Sequence, residues 1–152
     1  MKSVAGFTLI ELLITMVVLA IVAAIAIPIY TNYVRRGEIT DATDTLSSLY
    51  VQMEQDYQDN NNYEAPNNTS NCAVGATPTS TNSSTTQYFT YACALSNSGQ
   101  NYTITATGAT GTLMSGFTYQ ITDANLRSST VSGVSGWTGN SNCWVTNEGG
   151  QC

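Results

Sequence analysis

The chain of 152 residues contains no histidine, and only 9% of its residues are charged, against about 25% in an average soluble domain. The absence of histidine excludes Ser-His and Cys-His nucleophile pairs and every zinc site that needs imidazole. Four basic residues stand against ten acidic ones, for a net charge of −6. This balance argues against nucleic acid as a partner, because neutralising phosphates requires clustered Lys and Arg. The composition therefore predicts a structural or binding protein, with no catalytic site, metal or cofactor.

Charge is also missing from a long segment near the N-terminus. No charged residue occurs between Leu12 and Val34, and Glu11 is the only one between Phe7 and Tyr30. The segment is apolar on all sides, which is typical of a helix in a membrane or in a bundle of similar helices. At ~1.5 Å per residue it would span roughly 36 Å, enough to cross a bilayer. We predict a hydrophobic transmembrane helix over residues 7–36. That this helix is only a single-pass membrane anchor is an alternative at this point.

The pattern beyond this segment is still helical but becomes amphipathic, and it predicts that the helix continues to about residue 58. Pro28 has no N–H for the helix, and Gly37 costs roughly 1 kcal/mol relative to alanine. We therefore predict that the segment between Ala24 and Gly37 is the weak point of the helix, seen as a kink or as local melting. Acidic residues, Glu54 among them, are expected on the solvent side. The apolar stripe comprises Ile39, Ala42, Leu46, Leu49, Tyr50, Met53 and Tyr57.

The rest of the chain is rich in Ser, Thr, Asn and Gly and predicts a small antiparallel sheet. Strand signals recur at 87–95, 101–107, 117–122 and 126–131. Tyr102, Ile104 and Ala106 alternate with threonines, as in a strand with one buried face. We predict a polar loop at 59–86, a β-meander at 87–131 and a second loop at 132–152. Packing of the meander on the helical stripe would give an α+β domain.

All four cysteines, Cys72, Cys93, Cys143 and Cys152, lie beyond the apolar segment. They form no Cys-x-x-Cys pair and have no histidine to complete a metal site. We therefore predict two disulfides formed outside the cytoplasm, so that residues 37–152 are exported. Of the three connectivities that four cysteines allow, we favour Cys72–Cys93 with Cys143–Cys152. Each pair would stabilise by roughly 3 kcal/mol on the loop-entropy model.

The N-terminal sequence Gly6-Phe7-Thr8-Leu9-Ile10-Glu11, followed by the apolar run and Pro28, resembles the prepilin motif of type IV pilins. The resemblance implies a leader over residues 1–6 of the type IVa kind, removed by a prepilin peptidase between Gly6 and Phe7. It also implies N-methylation of Phe7. The fold implied is the type IV pilin fold, α+β, in which a long N-terminal helix has a protruding hydrophobic half. Its amphipathic half packs on a small antiparallel sheet.

Glu11 has a physical role that agrees with this resemblance. A lone carboxylate in hydrocarbon is costly and is expected to be paired or protonated. Cleavage would create an α-amine at Phe7, four residues upstream on the same helical face and at the positive end of the helix dipole. Glu11 can neutralise its own amine or that of a neighbouring subunit. The resemblance favours the neighbour, which makes Glu11 an assembly residue.

The function implied is that of a structural subunit of a type IV pilus filament that supports adhesion and twitching motility. The partners implied are further copies and other pilins in a helical filament, the prepilin peptidase and the inner-membrane assembly machinery. The implied location is the inner membrane for the prepilin and then the extracellular pilus.

Two alternatives stay open at this point. Residues 33–37 and 101–106 resemble the PilE-like branch of the family, which includes minor pilins that act in assembly priming, adhesion or DNA uptake. DNA uptake is disfavoured because Arg127 is the only basic residue beyond Arg36. The second alternative is a pseudopilin of type II secretion, which shares the N-terminal motif.

Overall fold

One long helix dominates the N-terminal part of the chain. The computed structural model describes residues 7–66, 68–73 and 88–152, so Gly6 and the rest of the expected leader lie outside the described residues. Helix α1 spans Leu9–Asn60 and continues through both Pro28 and Gly37. The helix ends where Asn61 takes a positive φ of 55°, a conformation that asparagine tolerates better than most residues.

The chain divides into two units, one ending at Val34 and the other comprising Arg35–Cys152. We call them the N-terminal unit and the C-terminal unit. Helix α1 contributes its residues up to 34 to the first and those from 35 to the second. The division falls inside the segment between Ala24 and Gly37.

The C-terminal unit contains an antiparallel meander of four strands, numbered in chain order after two short strands described below. They are β3 at Phe89–Ser96, β4 at Asn101–Gly108, β5 at Phe117–Thr122 and β6 at Arg127–Val131, and they lie side by side in that order. Its inner face buries alternate residues, among them Tyr102, Ile104 and Ala106 of β4, as the sequence pattern predicts. These side chains share one hydrophobic core with the α1 stripe, in which Ile39 and Met53 are fully buried. The α+β class is thus confirmed.

The prediction of a loop throughout residues 59–86 is wrong in its first half. Two short antiparallel strands lie there, β1 at Glu64–Ala65 and β2 at Asn68–Cys72. Residue 67 and residues 74–86 of that segment lie outside the described residues. The strands are stabilised by tertiary contacts that local sequence does not encode. The N–H of Tyr63 donates to the Gly99 carbonyl at 2.9 Å, and the N–H of Ala73 donates to the Tyr63 carbonyl at 2.8 Å.

The C-terminal segment after β6 has little regular structure apart from a 3₁₀ helix at Glu148–Gly150. Hydrogen bonds nevertheless attach this C-terminal segment to the sheet. The buried Tyr119 hydroxyl donates to the Val145 carbonyl at 2.9 Å. The Ser129 hydroxyl donates to the Cys143 carbonyl at 2.8 Å and accepts from the Val145 N–H at 3.0 Å. The segment is therefore part of the folded C-terminal unit, although its composition is that of a loop.

Candidate functional site: an apolar helix and a carboxyl-terminal groove

The N-terminal unit presents an apolar surface without any cover. Every residue from Phe7 to Tyr30 is exposed, and the Phe7 side chain is 82% exposed. By length and composition, α1 is the one helix among the described residues that could cross a membrane. Apolar surface favours burial by roughly 25 cal/mol per Å². A helix of this kind is therefore stable only in lipid or against other apolar helices.

The helix begins with a cap that sequence reasoning missed. The Thr8 hydroxyl accepts a hydrogen bond from the Glu11 backbone N–H at 3.3 Å, and the Thr8 carbonyl accepts from the Leu12 N–H at 3.2 Å. Thr8 is thus the N-cap and Glu11 is the third helical residue. A threonine followed three positions later by glutamate is the signature of a capping box, so the sequence did carry the signal.

The side chain of Glu11 is exposed on the first turn of α1. A carboxylate there interacts favourably with the positive end of the helix dipole. Phe7, the residue expected to carry the methylated amine, lies two residues before the first residue of the helix.

The weak-point residues Pro28 and Gly37 both lie in the interior of α1. Pro28 removes one donor from the backbone ladder, while the Thr31 hydroxyl donates to the Pro28 carbonyl at 2.9 Å. A Cβ built on Gly37 would meet no atom within 4 Å, so packing does not require a glycine there. The backbone stays helical throughout, and a weak point at these residues stays a prediction.

The structure joins Cys72 to Cys93 and Cys143 to Cys152, the same two pairs that the sequence analysis favours. The first disulfide ties β2 to β3 across 21 positions of sequence. The second closes the C-terminal segment into a loop across nine positions.

A groove of about 560 Å³ opens beside the second disulfide. Its main feature is Arg127, whose guanidinium carbon lies 4.5 Å from the ring centroid of Trp144. The Trp144 indole N–H donates to the Gln120 carbonyl at 2.8 Å, which fixes the ring, and Arg127 Nε donates to Asn125 Oδ1 at 3.4 Å. Leu126 beside them is 67% exposed. The groove is also lined by Thr43, Ser141, Asn142 and Thr146.

The groove combines a cation, an apolar side chain and amide and hydroxyl groups. Arg127 is the only basic residue of the sequence beyond Arg36, and stacking on an indole holds a guanidinium in place. This arrangement suits an anionic or planar polar group. Sequence reasoning noted Arg127 but missed its pairing with Trp144, because the two residues meet only through the fold.

A second polar cluster lies between α1 and the sheet within the C-terminal unit. The hydroxyls of Tyr63 and Tyr102 both donate to Glu54 Oε1, at 3.0 and 3.2 Å. Glu54 was expected on the solvent side, and this expectation is wrong, since Glu54 is half-buried. Burial raises the pKa of both tyrosines well above the usual range, and the Glu54 carboxylate raises it further.

Comparison with known families finds two models that match consecutive parts of the chain. The model "Prokaryotic N-terminal methylation motif" matches residues 1–27. The model "Type IV minor pilin ComP, DNA uptake sequence receptor" matches residues 28–116. The first contains the expected cleavage site at Gly6 and Phe7 together with Glu11.

Curated relatives agree over the N-terminal part. A fimbrial protein of Pseudomonas aeruginosa is 46% identical over 54 residues, which are 36% of this chain and 35% of the relative. A type IV major fimbrial protein, FimA, of Dichelobacter nodosus is 37% identical over 76 residues, 49% of this chain and 48% of the relative. The matches thus span a third to a half of the relatives' lengths.

A solved type IV pilin structure from Shewanella oneidensis is 15% identical, with a TM-score of 0.45, over 61% of this chain and 89% of that one. The family assignment depends on the sequence models, one of which covers more than half of the chain. The protein belongs to the type IV pilins, in the family described as type IV minor pilin ComP, DNA uptake sequence receptor.

Proposed function

We propose that this pilin is a structural subunit of a type IV pilus filament, in which its N-terminal helix bundles with those of other pilins. The observation that carries the proposal is that every residue from 7 to 30 is exposed and almost all of them are apolar. Lipid covers this surface while the subunit is in the membrane. Once the helix leaves the lipid, only similar helices can cover it. A head-to-tail contact between such subunits that does not close on itself generates a helical filament.

Processing prepares the helix for this role. Cleavage between Gly6 and Phe7 by a prepilin peptidase, followed by N-methylation, places a cationic amine just before the Thr8 cap. Glu11 then pairs with the amine of a neighbouring subunit. An unpaired charge in an apolar bundle is costly, so this pair selects one register of helix stacking. The match of the methylation-motif model to residues 1–27 supports the proposal.

The cellular location of the protein in this proposal follows from the same features. The prepilin resides in the inner membrane with residues 37–152 exported, and the inner-membrane assembly machinery then moves it into an extracellular pilus. The two disulfides support export, because such bonds persist in oxidising compartments. On the cell surface the pilus serves adhesion and twitching motility.

The test is the N-terminal sequence and intact mass of the protein in filaments sheared from cells. We expect a chain that begins at N-methyl-Phe7 and lacks the hydrogens lost in forming two disulfides. Its abundance relative to other pilins then separates a major subunit from a minor one. A chain that still begins at Met1 and occurs only in membranes would contradict the proposal.

A second candidate function is DNA reception by a minor pilin, because the family model that matches residues 28–116 is named for a DNA uptake sequence receptor. We place the contact in the Arg127–Trp144 groove, where a cation and an aromatic ring meet. Only Arg35 and Arg36 add positive charge to the C-terminal unit. Affinity would therefore come more from base contacts than from phosphates.

DNA reception at this groove predicts a weak dependence of DNA affinity on salt concentration. Each phosphate contact contributes a slope of about −0.9 to log K against log salt, so we expect a slope no steeper than about −3. The measurement is fluorescence anisotropy of labelled duplex and single-stranded DNA at several salt concentrations. Arg127→Gln should abolish binding, and Arg36→Gln is the control with the same change in charge. Equal losses in the two variants, or no binding by the wild type, would contradict DNA reception at this groove.

A further inference from the structure

A second pocket of the C-terminal unit, about 500 Å³ in volume, lies between the start of that unit and two turns of the sheet. Its basic group is Arg35. None of the described residues that line it is acidic, and Glu38, one helical turn from Arg35, is not among them. Four hydroxyl side chains contribute to the lining, those of Thr112, Ser115, Ser132 and Ser135.

Hydrogen bonds and a close approach shape the pocket. Arg35 Nε donates to the Leu113 carbonyl in a long hydrogen bond of 3.5 Å. The Ser132 N–H donates to the Gly116 carbonyl at 2.9 Å, which joins the two turns. Gly116 has a φ of 92°, and a Cβ there would collide with the Ser132 carbonyl oxygen. This hydrogen bond and the close approach at Gly116 fix the backbone of the pocket.

The chemistry of the lining suits a phosphate group. A guanidinium offers five N–H donors in a planar fork that matches two phosphate oxygens. The serine hydroxyls can donate to the remaining oxygens, while the Thr112 hydroxyl already donates to the Ala109 carbonyl at 2.7 Å. The pocket thus presents an arginine and hydroxyl groups without an Asp or Glu side chain among its described lining residues, in a chain of net charge −6.

The position of Arg35 in the sequence indicates where this phosphate comes from. Arg35 is the first charged residue after the uncharged run that ends at Val34. A hydrocarbon core of about 30 Å takes ~20 helical residues, and the six helical steps from Ile29 to Arg35 rise roughly 9 Å more. When the helix spans a bilayer with Ile29 at the edge of the core, Arg35 is therefore at the level of the headgroups.

We propose that this pocket binds the phosphate of an anionic phospholipid headgroup while the pilin resides in the membrane. The inference rests on membrane residence, which is part of the proposed function, and goes beyond it by naming a lipid partner. Release of the headgroup then accompanies extraction of the subunit from the bilayer.

The test uses the full mature chain in nanodiscs of phosphatidylcholine alone or of an equimolar mixture with phosphatidylglycerol. Backbone amide shifts of residues 112–115 and 132–135 report on the pocket. We expect them to shift only with phosphatidylglycerol, and Arg35→Gln to weaken the apparent affinity about tenfold, as for the loss of one hydrogen-bonded charge. Arg36→Gln is the matched control, because it removes the same charge from an exposed neighbour that does not line the pocket.

Ser135→Leu provides a second variant that fills the pocket without changing any charge, and it should also prevent the shifts. Inorganic phosphate titrated into the chain in detergent micelles distinguishes the source of the phosphate. Shifts with inorganic phosphate but not with phosphatidylglycerol would overturn the lipid assignment. Equal weakening by Arg35→Gln and Arg36→Gln would also overturn it, because it would show only general attraction to a charged surface.

The outcome in nanodiscs does not depend on whether the pilin later enters filaments. Failure of the lipid site would leave the filament assay on sheared pili unchanged. Failure of the filament assay would leave the amide shifts in nanodiscs intact, so the two failures are distinguishable.

Discussion

Tyr102 and Glu54 lie 48 positions apart in the sequence, yet the Tyr102 hydroxyl donates a hydrogen bond to Glu54 Oε1 at 3.2 Å. Tyr63 donates to the same oxygen at 3.0 Å, and its ring packs edge-on against that of Tyr102 at 4.6 Å between centroids. One carboxylate of the helix thus accepts hydrogen bonds from two tyrosines, one from the loop that follows α1 and one from β4. This contact joins the helix to the sheet within the C-terminal unit.

Glu54→Ala should lower the free energy of unfolding by about 2–4 kcal/mol, because two largely buried hydroxyls lose their acceptor. Glu54→Gln keeps an oxygen that can accept from both tyrosines, so we expect a loss below about 1.5 kcal/mol. Urea unfolding of the chain in mild detergent, followed by tyrosine fluorescence, measures both. Equal losses in the two variants would show that the hydrogen bonds contribute little.

Stability should also fall at alkaline pH. Burial raises the pKa of Tyr63, Tyr102 and Tyr119 above the ordinary value of 10.0. The unfolded chain therefore releases these protons above pH 10 while the folded chain retains them. The free energy of unfolding should be constant up to about pH 10 and then fall by up to ~1.4 kcal/mol per pH unit for each tyrosine.

Unfolding midpoints measured as a function of pH test this dependence. Tyr102→Phe should make the fall above pH 10 less steep. Tyr33→Phe, which alters an exposed side chain, should leave the slope as in the wild type. An unchanged slope in Tyr102→Phe would contradict the role assigned to its burial.

The N-cap at Thr8 should stabilise the first turn of α1. Thr8→Ala should cost about 1 kcal/mol at the start of α1, since the Glu11 N–H loses its acceptor. Amide hydrogen exchange of Glu11 should then be about five times faster in micelles. Thr15→Ala removes a hydroxyl that donates to the Leu12 carbonyl and should leave Glu11 exchange unchanged. Equal rates in Thr8→Ala and wild type would mean that Thr8 does not cap the helix.

Glu11→Gln keeps the size of the side chain and removes its charge. We expect this variant to be exported, cleaved and resident in the membrane, yet absent from sheared filaments, because it lacks the charge that we propose selects the register. Immunoblots of the membrane and filament fractions measure the distribution. Glu11→Asp keeps the charge and should retain part of the incorporation. Normal incorporation of Glu11→Gln would rule out the register argument.

The two disulfides should each contribute about 3 kcal/mol, with the larger share from Cys72–Cys93 because it closes the longer loop. Double serine variants of each pair, unfolded in urea, measure the two contributions. Helix content by circular dichroism should stay close to that of wild type in both. A larger loss for the Cys143–Cys152 pair would contradict the loop-length argument.

Much of the fold could be predicted because its signals are periodic and local. The spacing of Ile39, Leu46 and Met53 predicts the buried stripe of α1, and the alternation from Tyr102 to Ala106 predicts the inner face of β4. The prepilin motif predicts the family in the same way, because its residues are consecutive. No periodic or local sequence pattern predicts β1 and β2, because their pairing depends on contacts with a distant turn and on a disulfide.

The sequence by itself determined that this chain has an apolar N-terminal helix followed by an α+β domain, because hydrophobic periodicity can be recognised along the chain. Only the tertiary structure decided which distant polar groups meet. It placed the Arg127 guanidinium over the ring of Trp144 and the Glu54 carboxylate within hydrogen-bond distance of two tyrosine hydroxyls. It also placed Arg35 in one pocket with hydroxyl side chains from two turns. Each of these contacts depends on strand register and loop closure, which no local pattern of residues encodes.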